Sequence, residues 1–321
     1  MRIAIGIPTF GRAAVLAQTV ADLARQTRRP DRIVVCHARA EDVPAAPTRA
    51  SGVEYVSAEP GLPRQRNRII DHVRDCDLLL FLDDDFLLRK DYVAVMARLF
   101  TLRPGLVVAT GTVLADGATG KGLGFAEARA VLEAASPCAD PLATTPVPNG
   151  YGCNMAIRLE TLRRTGLRFD ERMPLYAWQE DAELSCRLAA HGEILRVAGA
   201  RGVHLGVKGG RTAGLQLGYS QVINPFYIAR GVPAYGLRRA ALQVGRNLAA
   251  NLLRAVRPEP WIDRRGRLRG NMLGLVDLVR GRLTPERVLA LGPSNSGRGG
   301  RGMIGTVASG PGTTYRRESR Q

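Results

Sequence analysis

LLLFLDDD, residues 78–85, passes from the apolar run Leu78 to Leu82 straight into three adjacent carboxylates, Asp83, Asp84 and Asp85. A short, wholly apolar segment fits a strand buried on both faces of a parallel sheet, and in such sheets ligands bind just beyond the carboxyl ends of the strands. Like charges crowded there repel one another unless a cation, an arginine or water screens them. Oxygen ligands at positions i and i+2 suit a hard divalent ion, Mg²⁺ or Mn²⁺, carrying a substrate diphosphate. A solvated acidic turn is the plain alternative, and the buried run just before the triplet favours a site.

Outward from this junction, compact apolar runs alternate with helical patterns. Upstream, residues 2–8 (RIAIGIP), 32–36 and 53–57 have strand character, while 13–26 and 63–73 have helical spacing, with Leu16, Val20 and Leu23 on one face of the first. Downstream come a helix at 91–102, a strand at 106–113, a proline-rich loop at 136–150, a helix at 179–191 and a strand at 194–197. The glycine-rich loop GVHLGVKGG follows. Repeated βα units predict an α/β domain over residues 1–215 built on a doubly wound, mostly parallel sheet.

The 321 residues carry a net charge of +17, unevenly placed. Residues 221–321 hold 18 Arg, no Lys and 5 acidic residues, so the body is nearly balanced and the C-terminal region is strongly basic. We expect a helical basic extension over 216–291 and a disordered Gly/Ser/Arg-rich tail over 292–321. Residues 236–257 place Leu237, Ala241, Val244, Leu248 and Leu252 on one helix face and five arginines on the other. Such a helix either lies in an anionic membrane interface or packs its apolar face on the body. No apolar run reaches the ~18 residues of a membrane span. The expected location is cytoplasmic, peripheral on the cytoplasmic membrane face. Five scattered cysteines without a Cys-x-x-Cys pair support neither a disulfide framework nor a zinc ribbon. Nucleic acid is the other polyanion such a basic region would suit, but aromatic residues for base stacking are scarce there.

Four segments combine into a resemblance: IPTFGR at 7–12, the Arg66-Asn67 pair, FLDDD at 81–85 and WQEDAELSCRL at 178–188. In this order and spacing they resemble glycosyltransferase family 2, whose members use nucleotide sugars on a GT-A type fold and invert the anomeric centre. The resemblance covers roughly residues 1–210. It implies a nucleotide-sugar donor, a hydroxyl acceptor, possibly lipid-linked, a divalent metal, Mn²⁺ or Mg²⁺, and a role in surface polysaccharide or glycolipid assembly. Carried over residue by residue, it puts Pro8, Thr9, Arg12, Arg66, Asp83 and Asp84 at the donor, and Asp85 and His204 at the metal. Which of the three acids touches the metal stays open.

Asp181 is the candidate general base, since a carboxylate in the first turn of a helix is favoured in its ionised form. Simple helix capping is the alternative. Asn154, Trp178 and Glu180 are candidates for the sugar or acceptor, with a turn role for Asn154 and a core role for Trp178 as alternatives. A lone His near a strand end is more often structural, so His204 rests on its spacing from Asp181. Lys208 and Arg211 either grip the diphosphate or are surface charge. One departure is plain: the acid expected after the second strand is replaced by CHAR at 36–39, which leaves the donor's base open, with Glu41 and Asp42 as substitutes if the loop folds back.

Overall fold

The structure, a computed structural model, describes residues 1–45, 52–210 and 212–292. The tail at 293–321 and Arg211 lie outside the described residues.

Among those residues, nine strands form one sheet: β1 (Ile3–Thr9), β2 (Arg32–His37), β3 (Val53–Ser57), β4 (Leu78–Leu82), β5 (Phe86–Leu88), β6 (Leu106–Asp116), β7 (Thr144–Pro146), β8 (Asn154–Arg158) and β9 (Glu193–His204). Their order is β3-β2-β1-β4-β8-β6-β9-β5, with β7 beside β9. Strands β1 to β4 pair in parallel, as do β6 and β9, while β8 runs antiparallel between β4 and β6.

The apolar run is β4, and every residue of it is buried. Leu78, Leu80 and Leu82 face one core with Leu16 and Leu23 of α1 (Ala13–Leu23) and Val93, Met96 and Phe100 of α3 (Tyr92–Leu102). Leu79 and Phe81 face the opposite core with Ile69 and Ile70 of α2 (Leu62–His72) and Leu184 and Leu188 of α6 (Glu180–Leu188). Burying such side chains stabilises the fold by about 1.5–3 kcal/mol each. Helices α4 (Phe125–Ala134) and α5 (Leu159–Thr165) complete the layers.

Two features depart from expectation. The segment expected as a loop at 136–150 contains β7. Strand β9 runs on past 197 to His204, so the first residues of the expected glycine-rich loop are strand. Gly202 pairs with Leu88 of β5, and it is glycine because the Phe86 ring packs where a Cβ would be.

The extension is helical, and its interior is polar and glycine-lined. Helices α7 (Gly214–Gly231) and α9 (Arg264–Val279) cross where Gly218 meets the Arg267 backbone and Gly270 meets the Leu215 carbonyl, leaving no room for larger side chains. Asn251 of α8 (Leu237–Val256) donates to Gln221 (3.0 Å) and Asn271 (2.8 Å), and Arg264 donates to Asn251 (3.2 Å). Met173, Ala177, Ala182 and Cys186 of the body pack with Ile228, Val232, Tyr235 and Ala240 of the extension. Helix α8 does not present its apolar side as expected. It buries Ala240, Val244 and Asn251, while Leu237, Leu252, Leu253 and Val256 stand exposed.

Candidate active site and metal centre

The three acids occupy a tight turn between β4 and β5, closed by Phe86 N–H donating to the Asp83 carbonyl (3.2 Å). The turn sends Asp83 and Asp85 to one side and Asp84 to the other. Asp84 accepts from Thr9 Oγ1 (2.7 Å) and Arg12 Nη1 (2.8 Å), so it is tied to the end of β1. Arg12 also lies 3.4 Å from Asp85 and donates to the Gly209 carbonyl (2.8 Å). Arg12 beside Asp84 and Asp85, with Arg66 3.6 Å and His204 3.9 Å from Asp83, offsets the crowded charge of the three carboxylates.

Asp83, Asp85 and His204 each offer an atom, all within 4.8 Å of one another, a group able to hold a metal ion. Asp85 Oδ1 is buried without a hydrogen-bond partner and sits 3.3 Å from His204 Nε2. An orphaned carboxylate oxygen beside an imidazole and a second carboxylate is a donor set that fits Mn²⁺ or Mg²⁺. Burial would raise Asp85, but His204, Arg12 and the Val207 N–H hold it below the usual carboxylate range, whereas burial pushes Asp84 up to about 6 against the pull of Arg12.

His204 ends β9 opposite Asp116, the last residue of β6, in register. Its Nδ1 bonds Asp116 Oδ1 (2.9 Å), which leaves Nε2 facing the acids. Tyr151 donates to the other Asp116 oxygen (2.8 Å). Burial disfavours the imidazolium, yet Asp116 and Asp85 together raise His204 to about 10. Asp116 was not foreseen; only the long β6–β9 pairing brings it here. Gly206, at φ +65°, makes the turn after His204, and a Cβ there would overlap the Gly117 and Ala118 backbone. In the same loop Lys208 donates to the carbonyls of Gly117 (2.8 Å) and Ala118 (3.1 Å).

Asp181 stands in the first turn of α6, partly exposed, and its Oδ2 accepts from Gly152 N–H (2.8 Å) while Oδ1 accepts from Ala182 N–H (2.7 Å). The N-cap residue is Gln179, with no side-chain cap bond. Glu180, in contrast, is 5% exposed and accepts from Arg66 (2.5 Å); burial lifts it to about 8 although Arg66 pulls the other way. Of the two acids, only Asp181 is accessible.

Arg66, expected at the donor, lies beneath the acid turn. It is 1% exposed, between the rings of Phe81 and Phe169, donates to the Gly152 carbonyl (2.9 Å), and lies 3.6 Å from Asp83. It therefore ties the metal-side acids to the helix that carries Asp181. Gly152 is the close approach in this knot: a Cβ would come within 3.0 Å of Arg66 and 3.3 Å of Asp181.

Pro8 and Thr9 are buried within β1. Asn154 is fully buried and its side-chain amide oxygen Oδ1 accepts from Thr110 and from Gly111 N–H (3.2 Å), so its present bonds fix β6 to β8. Asp42 does fold back, but both oxygens are taken by the N–H groups of Gly11, Ala38 and Arg39. At that rim Arg39 instead covers the half-exposed Phe10 ring at 4.9 Å.

Trp178 lies in a segment with positive φ at three non-glycine residues, Leu175 (60°), Ala177 (50°) and Gln179 (73°). Each such residue costs of order 1–3 kcal/mol, so surrounding contacts must hold the conformation. They come from the extension: Asn224 donates to the Trp178 carbonyl (3.1 Å) and Tyr235 to Gln179. Tyr176 and Trp178 pack ring to ring at 6.3 Å, with the Tyr176 side 48% exposed.

The fold and site define a GT-A type protein. Two solved structures similar over most of both chains are S. aureus TarS 1-349 (13% identity, TM-score 0.52, 91% of this chain and 83% of that one) and the mannosyltransferase PcManGT from Pyrobaculum calidifontis in complex with GDP-Man and Mn²⁺ (15%, 0.53, 90% and 85%). GalNAc-T7 with UDP, GalNAc and Mn²⁺ is also similar (15%, TM-score 0.50), over 64% of this chain but only 44% of its own. No curated protein matches the chain. Residues 4–161, just under half of the chain, match the model described as glycosyl transferase family 2.

Proposed function

We propose that the protein is an inverting, metal-dependent glycosyltransferase that moves a hexose from a nucleotide-diphosphate donor to an acceptor hydroxyl. The observation that carries this reading is the convergence of Asp83, Asp85 and His204 at the carboxyl end of β4, joined through Arg66 and Gly152 to the accessible carboxylate of Asp181. A divalent ion held there would offset negative charge on the departing diphosphate. Asp83 and Asp85 supply the carboxylates, and His204, oriented by Asp116, presents Nε2. Asp181 accepts the proton of the acceptor hydroxyl. As that oxygen bonds to the anomeric carbon, the bond to the diphosphate oxygen breaks and its electron pair leaves with the nucleotide. One displacement inverts the configuration.

Arg66 keeps the two halves of the site in register, and Tyr176 with Trp178 offers an aromatic face for the acceptor sugar. TarS has been crystallised with UDP-GlcNAc and PcManGT with GDP-Man, so uridine and guanosine donors are both served by this fold. Asp42 is committed to backbone N–H groups and is not free to read a uracil ring, and we place no restriction to uridine donors. The exposed leucines and arginines of α8 support peripheral binding to an anionic membrane, as in assembly of a surface polysaccharide or glycolipid.

The test is Asp181→Asn. We expect transfer to fall by roughly 10²–10⁴-fold, the usual contribution of a positioned base, with metal-dependent donor binding retained. Unchanged turnover would reject Asp181 as the base.

A further inference from the structure

An open cavity of about 530 Å³ lies on the first turns of α8, lined by Tyr235, Arg238, Arg239, Leu242, Gln243 and Arg246. It contains three guanidinium groups and no carboxylate. Residues 238, 242 and 246 are four apart, so Arg238 and Arg246 rise from one helix face one turn to either side of Leu242. Arg239 is held in place: it donates to Asn149 (2.6 Å) and its guanidinium lies over the Tyr235 ring at 4.5 Å. None of the three arginines forms an ion pair with a described carboxylate. Three cationic side chains line one cavity with no carboxylate among its walls, and an anion seated there would be attracted by all three. Guanidinium forks match phosphate oxygens in charge and geometry.

The position of the cavity tells which molecule would bring the phosphate. Tyr235, in its wall, donates to Gln179, two residues before Asp181, and Arg239 reaches Cys186 of the same helix (3.6 Å). The cavity thus adjoins the helix that carries the base, whereas the donor's diphosphate is served by the acid turn and His204. We infer that it is a phosphoryl-binding subsite for the acceptor, so that the hydroxyl compound presented to Asp181 carries a phosphate group. This rests on the glycosyl-transfer reading for the word acceptor; anion binding itself does not.

The full chain, kept metal-free with EDTA so that the acid turn retains no phosphate, would be titrated calorimetrically with inorganic phosphate. Wild type, the double variant Arg238→Gln/Arg246→Gln and the control Arg257→Gln, which removes one charge from the far end of α8, would be compared. We expect phosphate to bind wild type and control alike and the double variant about tenfold more weakly, since two charge-assisted contacts are lost. Equal affinity in all three, or no binding to wild type, would overturn the subsite.

A second arm replaces phosphate with phosphatidic acid in phosphatidylcholine vesicles. Loss of vesicle binding in the double variant assigns the site to a lipid-borne phosphate; loss of phosphate binding alone assigns it to a water-soluble phosphorylated acceptor. Mn²⁺-dependent donor hydrolysis by wild type reads the transferase assignment separately. Its absence alongside phosphate binding that depends on Arg238 and Arg246 would remove that assignment and leave the anion site standing.

Discussion

Arg66 shows how much one buried side chain organises. It holds Glu180 and Gly152 and approaches Asp83 while carrying its charge out of water. Truncating one partner of a buried ion pair leaves the other charge uncompensated, so Arg66→Ala should destabilise the protein by about 3–5 kcal/mol, read by urea unfolding. A midpoint equal to wild type would show that the charge is not needed for the fold. A surface pair behaves differently. Asp71, held by two bonds from Arg168 and one from Arg74, titrates at about 2, below its usual 3.8. A depressed acid stabilises the fold above its unfolded pKa and loses that effect as pH falls through the folded one, here between roughly pH 4 and pH 2. The pair is about one-third exposed, so its worth is under about 1 kcal/mol. Asp71→Asn should lower stability at pH 7 by under about 1 kcal/mol, flatten the acid limb in that window and match wild type below about pH 2; an unaltered acid limb would contradict this linkage. The acid triplet is legible in the sequence because it ends an apolar run, and Asp181 because it opens a helical pattern. Asp116 is not, since it ends a strand with no motif around it and meets His204 only across 88 residues of chain.

At the scale of elements, the segment Leu175–Gln179 depends on parts of the chain distant in sequence. Asn224 and Tyr235 hold a backbone that three positive φ values would otherwise release. Tyr235→Phe together with Asn224→Ala should raise the acceptor KM several-fold through a disordered Tyr176–Trp178 platform, while donor affinity stays at the wild-type value. A rise in donor KM of the same size would point to a general loss of structure instead. The parallel strands and their helices are legible from apolar spacing because β4 buries both faces and α1 and α3 bury one. Helices α7 and α9 are not. Their contact is made by Gly218, Gly270 and Gly274, and their interior by Asn251, Asn271 and Asp277, so no apolar period marks them.

Across the whole molecule, the candidate site and the basic excess lie on different parts of the chain. The body carries the site, and the extension carries the arginines together with exposed Leu252, Leu253, Val256 and, on α9, Val279. No helix among the described residues is long and apolar enough to cross a membrane. Leu252→Ser/Leu253→Ser should reduce flotation with anionic vesicles at low salt without lowering Tm, because both side chains are 58% and 74% exposed. Equal flotation would leave the arginines or another surface as the contact. Sequence division of the faces of α8 put Val244 and Leu252 together. The helix instead turns toward α7 and α9 around buried Asn251, a polar contact that a hydrophobic pattern does not register.

The central claim is that Asp83, Asp85 and His204 hold a divalent ion that a nucleotide-sugar donor needs. Its most direct test is calorimetric binding of a panel of nucleotide sugars to the full chain, with Mn²⁺ and with EDTA, for wild type and Asp85→Asn. At least one donor should bind wild type only with Mn²⁺ and lose that binding in Asp85→Asn. Donor binding that is equally tight in EDTA, or unchanged by the substitution, would contradict it.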